Sequence, residues 1–199
     1  MDKKDINEIH SSPISIETQK QIAQTVLNTL RTIDNDCILA GGAPRDWYFN
    51  KPAADLDFFV YIPNSVPDND VIDLISNLFV IDEIKNKAHI YYTKNPNLRA
   101  VFQIGGYNMP VQIMVMNFKT DFVLDSFPLS ISKIAWKDGV FYPSEDFNLG
   151  LKYNAIFQTS AGYGNNSKYF NKILSKFPDK EFFTSKGKMV NPSDLFSFI

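Results

Sequence analysis

Two adjacent glycines at the end of a short apolar run constrain this chain more than any other feature. The residues from Cys37 to Ala40 predict a strand. Gly41 and Gly42 follow directly, and Pro44 stands where the first turn of a helix is expected. The pattern predicts a strand, a glycine turn and a short helix. Bare glycines before a helix let backbone amides approach phosphate oxygens, although an isolated Gly-Gly pair is also common in ordinary tight turns.

The segment from Asp55 to Ile62 alternates like a second strand and carries two carboxylates. Asp55 and Asp57 share one face, from which side chains two residues apart leave roughly 7 Å from each other. Two carboxylates so placed can hold a pair of magnesium ions, which activate an attacking hydroxyl and neutralise a leaving pyrophosphate. Oxygen ligands with no neighbouring histidine favour magnesium over zinc. A solvated strand end or a turn cap is the alternative interpretation of the same pair.

Arg45, one turn into the predicted helix, also allows two interpretations. Its guanidinium can contact a triphosphate, or it can pair with Asp46 or Asp57. Neither a Walker loop nor a dinucleotide fingerprint occurs in the sequence, so phosphate binding of those two kinds is not supported.

Periodicity extends this order along the chain. Amphipathic helices are predicted from about Ser15 to Ile33 and from Val71 to Leu78. Strands are predicted at His89–Thr93, Leu98–Ile104, Val111–Met116, Ile131–Trp136 and Val140–Tyr142, with a short helix at Thr120–Ser126. Lys137-Asp138-Gly139 predicts a hairpin turn. Beyond Ser144 helices should dominate, and Lys168, Lys172, Lys176 and Lys180, spaced by four, predict either a solvated basic face or a site for an acceptor phosphate.

Composition narrows the class of protein. The chain has 199 residues, of which 44% are hydrophobic, enough for one substantial core. With a net charge of -2, the chain lacks the basic character of a dedicated nucleic-acid binder. Cys37 is the only cysteine, which excludes an internal disulfide and a cysteine zinc cluster. No apolar run is long enough for a membrane span and the first residues hold no apolar signal core, so we expect a cytoplasmic protein without a membrane partner.

Taken together, two stretches carry a family resemblance. Leu39-Ala-Gly-Gly-Ala-Pro-Arg-Asp46, followed by Lys51-Pro-Ala-Ala-Asp-Leu-Asp57, resembles the head-domain signature of poly(A) polymerases and CCA-adding tRNA nucleotidyltransferases, in the DNA polymerase β superfamily. The resemblance is strict from about Ile38 to Tyr61. It implies an α+β nucleotidyltransferase fold with a twisted mixed sheet, helices mainly on one side and a C-terminal helical extension.

The resemblance also assigns roles. Asp55 and Asp57 would be the catalytic carboxylates that bind two Mg²⁺ ions, with Mn²⁺ as the alternative ion. The nucleotide-binding set would comprise Gly41, Gly42, Arg45, Asp46 and Lys51, with the two glycines forming the triphosphate loop. The implied partners are a nucleoside triphosphate and RNA or tRNA.

The sequence departs from the family pattern at three places. Members often place a third carboxylate on a neighbouring strand, where this chain has Gln112. The region from Asp125 to Lys133 contains neither the Arg-Arg-Asp motif nor the Glu-Asp-X-X-Arg helix of the CCA-adding branch. In a chain of 199 residues, we also do not expect the long helical neck, body and tail that hold tRNA in those enzymes.

The sequence therefore predicts a metal-dependent nucleotidyltransferase of the EC 2.7.7 type. It would move a nucleoside monophosphate to a hydroxyl acceptor, with an RNA or tRNA 3′ end as the first choice. We expect a flexible N-terminus at 1–14, a head domain at 15–145 and the extension at 146–199. A catalytically silent nucleotide-binding module is one alternative, and a toxin or antidefence enzyme that modifies a host protein or small molecule is another. The residue usage suggests a bacterial or phage source. If the protein is encoded by a phage, we expect it in the host cytoplasm.

Overall fold

The fold is built on one large sheet, seen in a computed structural model that describes residues 14–86, 97–159 and 167–184. The strands are β1 (Ile38–Ala40), β2 (Leu56–Tyr61), β3 (Ile81–Asn86), β4 (Leu98–Ile104), β5 (Val111–Met116), β6 (Ile134–Lys137), β7 (Val140–Pro143), β8 (Ala155–Phe157) and β9 (Glu181–Phe183). The helices are α1 (Ile16–Leu30), α2 (Gly42–Tyr48), α3 (Asp68–Ser76), α4 (Glu145–Lys152) and α5 (Ser167–Lys176). No helix within these ranges is long and apolar enough to cross a membrane.

Seven strands form a mixed sheet in the order β3-β4-β5-β2-β1-β6-β7. The central pair, β2 and β5, is parallel, and the other neighbours are antiparallel. A second, two-stranded sheet pairs β8 with β9 in parallel. The architecture confirms the predicted α+β class with a mixed sheet.

The helices α1, α2 and α3 cover one face of the large sheet. Helix α1 begins after Ser15, whose hydroxyl accepts a hydrogen bond from the Thr18 amide at 3.1 Å. It buries Ala23, Val26, Leu27 and Leu30 in the main core. Segment 118–127 lies on the opposite face, where Phe127 packs edge-on against Phe59 with ring centroids 5.8 Å apart. The expectation of helices mainly on one side is therefore confirmed.

The C-terminal elements pack around a third apolar cluster. Leu129 and Ile134 belong to this cluster together with side chains of α4, β8, α5 and β9. Phe177, at the end of α5, packs against Phe49, at the end of α2, with ring centroids 5.0 Å apart. The contact brings the C-terminal region against the helix that follows the glycine turn.

Several element boundaries differ from the sequence predictions. The first helix ends at Leu30 rather than Ile33, and the expected helix at 120–126 consists of two 3₁₀ turns. The strand expected from Ile131 begins at Ile134, because Ser130–Ser132 forms another 3₁₀ turn. Strands β3, β8 and β9 were not predicted, and the predicted strand His89–Thr93 lies outside the described residues.

The predicted hairpin turn is confirmed in detail. Asp138 and Gly139, between β6 and β7, have φ values of 54° and 79°. Two central residues with positive φ match the twist of an antiparallel pair, which is why Asp-Gly favours this turn.

Candidate nucleotide and metal site

Gly41 has a backbone conformation that only glycine adopts easily. Its φ is 84° and its ψ is -116°. A Cβ atom there would also lie 3.2 Å from Cζ of Phe127. The Gly41 amide donates a hydrogen bond to the carbonyl oxygen of Ile134 at 2.9 Å, which fixes the turn to β6.

Gly42, the first residue of α2, faces the carboxylate site. A Cβ atom built on Gly42 would lie 3.8 Å from Oδ1 of Asp55 and 3.9 Å from Nη2 of Arg45. No side chain separates the turn from these two groups. The structure therefore brings together the glycine turn, the first carboxylate and the guanidinium that the sequence motif predicted as one site.

Arg45 and Asp46 form a buried ion pair within α2. Arg45 is 4% exposed and Asp46 is 2% exposed. Nε of Arg45 donates to Oδ1 of Asp46 at 2.8 Å, and Nη1 donates to Oγ of Ser132 at 3.3 Å. Oδ2 of Asp46 accepts a hydrogen bond from Nζ of Lys176 in α5. Nε and Nη1 are therefore engaged within the protein, and Nη2 is the nitrogen that lies near Gly42.

Asp55 directly precedes β2 and Asp57 lies within it. Both residues are half-buried. Neither carboxylate has a hydrogen-bond or ion-pair partner within residues 14–86, 97–159 and 167–184. Burial of the carboxyl group, together with the charge of Asp55, raises the pKa of Asp57 to about 7. The positive charge of Lys172 in α5 opposes that rise. Two half-buried carboxylates with like charge favour the binding of a cation between them.

The donor set fits a hard divalent ion. Asp57 is paired in register with Gln112 of β5, so the amide oxygen of Gln112 belongs to the same face of the sheet. Carboxylate and amide oxygens are ligands that Mg²⁺ accepts, and it commonly keeps several waters or phosphate oxygens as well. No cluster of three or more His, Cys, Asp or Glu side chains suited to a metal occurs among the described residues. Asp55 and Asp57 would therefore hold the ion, with Gln112 as a neutral neighbour.

Lys51 follows α2, and its amino group is engaged with the end of α5. Its Nζ donates to the backbone carbonyl of Lys176 at 2.9 Å and lies 4.7 Å from the ring centroid of Phe177. Lys51 thus fastens the end of α2 to the end of α5. Its role as a nucleotide ligand remains a prediction.

The sequence motif did not indicate the contribution of α5. Oη of Tyr169 lies 2.9 Å from Oγ of Ser132, and Lys176 binds Asp46. The sequence signal in this region was the four-residue spacing of the lysines, which predicted that all four lie on one face of a helix. Instead Lys180 lies beyond α5, is 9% exposed and donates to Oδ1 of Asn154 at 2.9 Å. The side chain of Lys168 lies outside the described residues.

The fold is similar to that of CCA-adding enzymes. The Thermotoga maritima CCA-adding enzyme complexed with tRNA gives a TM-score of 0.55 over 92% of this chain at 13% identity. A tRNA-processing enzyme in an apo form gives 0.55 over 90% at 14% identity, and a CCA-adding enzyme in complex with ATP gives 0.51 over 80% at 12% identity. This chain spans only 42%, 46% and 40% of those chains. It has the nucleotidyltransferase fold that its glycine and aspartate motifs predicted.

Sequence comparison is less informative. No protein-family profile matches the chain. A probable cation-transporting ATPase 1 of Plasmodium falciparum is 28% identical over 114 residues, which are 55% of this chain and 5% of that protein. A match to so small a part of a transporter gives no information about transport here.

Proposed function

We propose that this protein is a metal-dependent nucleotidyltransferase that transfers a nucleoside monophosphate from a nucleoside triphosphate to the 3′ hydroxyl of an RNA acceptor. Asp55 and Asp57 hold two Mg²⁺ ions, for which Mn²⁺ can substitute. Gly41, Gly42 and Arg45 bind the triphosphate. In this proposal residues 15–145 form the catalytic head, and residues 146–199 form its C-terminal extension.

One observation carries the proposal. The Cβ position of Gly42 lies 3.8 Å from a carboxylate oxygen of Asp55 and 3.9 Å from Nη2 of Arg45, with no side chain between. A phosphate group at the turn would therefore meet backbone, a guanidinium donor and the carboxylate site at once. The same three groups stand in a fold shared with enzymes solved in complex with ATP and with tRNA.

The chemistry follows from positioning and charge. Bound divalent ions would activate the attacking hydroxyl and neutralise the leaving pyrophosphate. The hydroxyl oxygen bonds to the α-phosphorus as the bond from that phosphorus to the bridging oxygen breaks. Pyrophosphate leaves with the electron pair, and the hydroxyl proton passes to solvent. Arg45 contributes Nη2 to the triphosphate, while Asp46 and Ser132 hold the guanidinium in place.

Gln112 supports a second candidate, a catalytically silent nucleotide-binding module. Gln112 is the direct neighbour of Asp57 on β5, the strand on which a third carboxylate is often found in this superfamily. A neutral amide there lowers the negative charge available for two cations. Such a protein would bind a nucleoside triphosphate without turning it over.

The decisive experiment offers each labelled nucleoside triphosphate, with Mg²⁺, to a panel of acceptors. The panel contains tRNA lacking its 3′ end, RNA oligonucleotides, proteins and small hydroxyl compounds, and the mass of each acceptor is measured afterwards. We expect an RNA to gain one or more nucleotides, with an equal release of pyrophosphate, and Asp57→Asn to abolish both.

Other results decide between the alternatives. Triphosphate binding without pyrophosphate release would support the silent module. A protein or small molecule that gains the nucleotide would keep the reaction and replace the acceptor. Absence of both binding and release would overturn the nucleotidyltransferase function.

A further inference from the structure

Helix α5 is attached to the candidate site at two points along one of its faces. Near its start, Oη of Tyr169 lies 2.9 Å from Oγ of Ser132, which also accepts from Arg45. At its end, Lys176 donates to Oδ2 of Asp46. Both partners belong to the network that orients the Arg45 guanidinium. Helix α5 therefore lies against the nucleotide side of the fold.

Lys172 lies between these two attachments. It follows Tyr169 by three residues and precedes Lys176 by four, a spacing that places all three side chains on one helical face. Unlike Lys176, Lys172 is exposed, and its amino group has no hydrogen-bond or ion-pair partner within the described parts of the chain. Its positive charge is nevertheless within electrostatic range of the Asp57 side chain.

Three other lysines differ from Lys172 because their amino groups have acceptors. Nζ of Lys51 donates to a backbone carbonyl, Nζ of Lys133 to Asp146 and Nζ of Lys180 to Asn154. Each of these cations already has an acceptor within the protein. The docking of α5 holds Lys172 within electrostatic range of Asp57, and the donors of Lys172 remain available.

We propose that Lys172 is a triphosphate-binding residue, delivered to the carboxylate site by the docked helix α5, and this role rests on the nucleotidyltransferase function proposed above. The negative charge of a triphosphate and two carboxylates exceeds the positive charge of two divalent ions. Arg45 shares its charge with the buried Asp46. A further cation at the site balances this excess, and a lysine amino group suits phosphate oxygens that differ in position.

The test is equilibrium binding of a non-hydrolysable nucleoside triphosphate in the presence of Mg²⁺, measured by calorimetry on the full chain. We expect Lys172→Gln to weaken triphosphate binding by about tenfold or more, since it removes a charge-assisted hydrogen bond. Binding of the matching nucleoside monophosphate should change much less. Lys172→Arg should restore most of the triphosphate affinity because it keeps the positive charge.

Lys119→Gln provides the matched control. Lys119 is exposed and follows β5 at the end of the sheet opposite to the carboxylates, so this variant should bind like the wild type. Equal triphosphate affinities of the wild type and Lys172→Gln would overturn the role of Lys172 alone. A lower melting temperature with unchanged affinity would do the same and would limit Lys172 to a contribution to stability. No triphosphate binding by the wild type would overturn this role together with the proposed function.

Discussion

Asp57 in β2 is paired with Gln112 in the parallel strand β5, so their side chains project side by side from one face of the sheet. A carboxylate and a neutral amide therefore stand at adjacent positions of the candidate site. Asp55 supplies the second negative charge, and its Oδ1 faces the Cβ position of Gly42. Substituting Asp55, Asp57 and Gln112 one at a time therefore separates their contributions to the candidate site.

The first prediction concerns catalysis by the carboxylate pair. Asp55→Asn and Asp57→Asn should each lower turnover by roughly 100-fold or more, because each removes a charge that holds the cations. The double variant should cost little beyond the worse single change, since the two groups act as a unit. Initial rates of pyrophosphate release at saturating Mg²⁺ measure this.

Gln112→Ala is the internal control for that series. Gln112 offers only a neutral oxygen, so its loss should have a much smaller effect than either aspartate change. If Asp57→Asn kept more than about a tenth of wild-type turnover, the catalytic role would be lost and the nucleotide-binding module would remain.

The second prediction concerns stability without metal. The pKa of Asp57 is about 7 in the folded protein, above the value of about 3.9 expected in the unfolded chain. Between these two pH values the unfolded state has released the proton while the folded state retains it, so stability falls as pH rises. Asp57→Asn cannot ionise and should avoid this loss. In EDTA its melting temperature relative to wild type should therefore rise between pH 5 and pH 8.

Mg²⁺ and a distant aspartate control this measurement. Saturating Mg²⁺ should reduce or reverse the advantage of Asp57→Asn, because the ion favours the ionised carboxylate of the wild type. Asp73→Asn, an exposed change on α3, should show no comparable pH trend. A melting-temperature difference between Asp57→Asn and wild type that does not change with pH would contradict the assigned pKa.

The sequence predicted the central part of the fold because the signals there are local. Residues 38–61 combine an apolar strand, a glycine turn and an alternating strand, each of which is defined by neighbours in sequence. Strand β3, Ile81–Asn86, has only two apolar residues in six and lies at the edge of the sheet. Strands β8 and β9 have three residues each, which is too short for a period to show.

The docking of α5 had no local signal either. The contact between Lys176 and Asp46 joins residues 130 positions apart, and the tertiary fold alone brings them together. Spacing by four places lysines on one helical face but does not show what that face meets. The placement of the glycines and aspartates in the fold was therefore predictable, whereas the docking of the C-terminal helix was not.

The third prediction separates the two glycines. Gly41→Ala should destabilise the fold by about 1–3 kcal/mol, because φ is 84° and a Cβ atom would crowd Phe127. Gly42→Ala should fold normally, since its Cβ would make only ordinary contacts at 3.8 Å and 3.9 Å. Gly42→Val should also fold but should bind triphosphate more weakly by filling the space in front of Asp55. Thermal melts and calorimetric titration with a non-hydrolysable triphosphate measure these effects, and unchanged affinity in folded Gly42→Val would remove the phosphate role of the turn.

The fourth prediction concerns Arg45, whose guanidinium has both a structural and a binding role. Arg45→Lys keeps the charge and loses the hydrogen bond to Ser132, while Lys176 still pairs with the buried Asp46. The protein should therefore fold with a loss of about 1–3 kcal/mol. Triphosphate affinity should fall by about tenfold, because a lysine cannot direct a second nitrogen at Gly42.

Ser132→Ala distinguishes the two roles of that guanidinium. It removes the oxygen that accepts from Nη1 of Arg45 at 3.3 Å and that lies 2.9 Å from Oη of Tyr169. The shorter hydrogen bond from Nε to Asp46 and the contact of Lys176 with Asp46 remain, so the guanidinium keeps Nη2 beside Gly42 and α5 keeps its second attachment. We expect this variant to lose stability comparable to Arg45→Lys and to keep most of its triphosphate affinity. Melting temperature and the dissociation constant per folded molecule, measured on both variants, separate the effects. If Arg45→Lys lost stability but bound triphosphate as tightly as the wild type, the guanidinium would serve only to neutralise Asp46, and the charge that meets the triphosphate would have to come from another side chain.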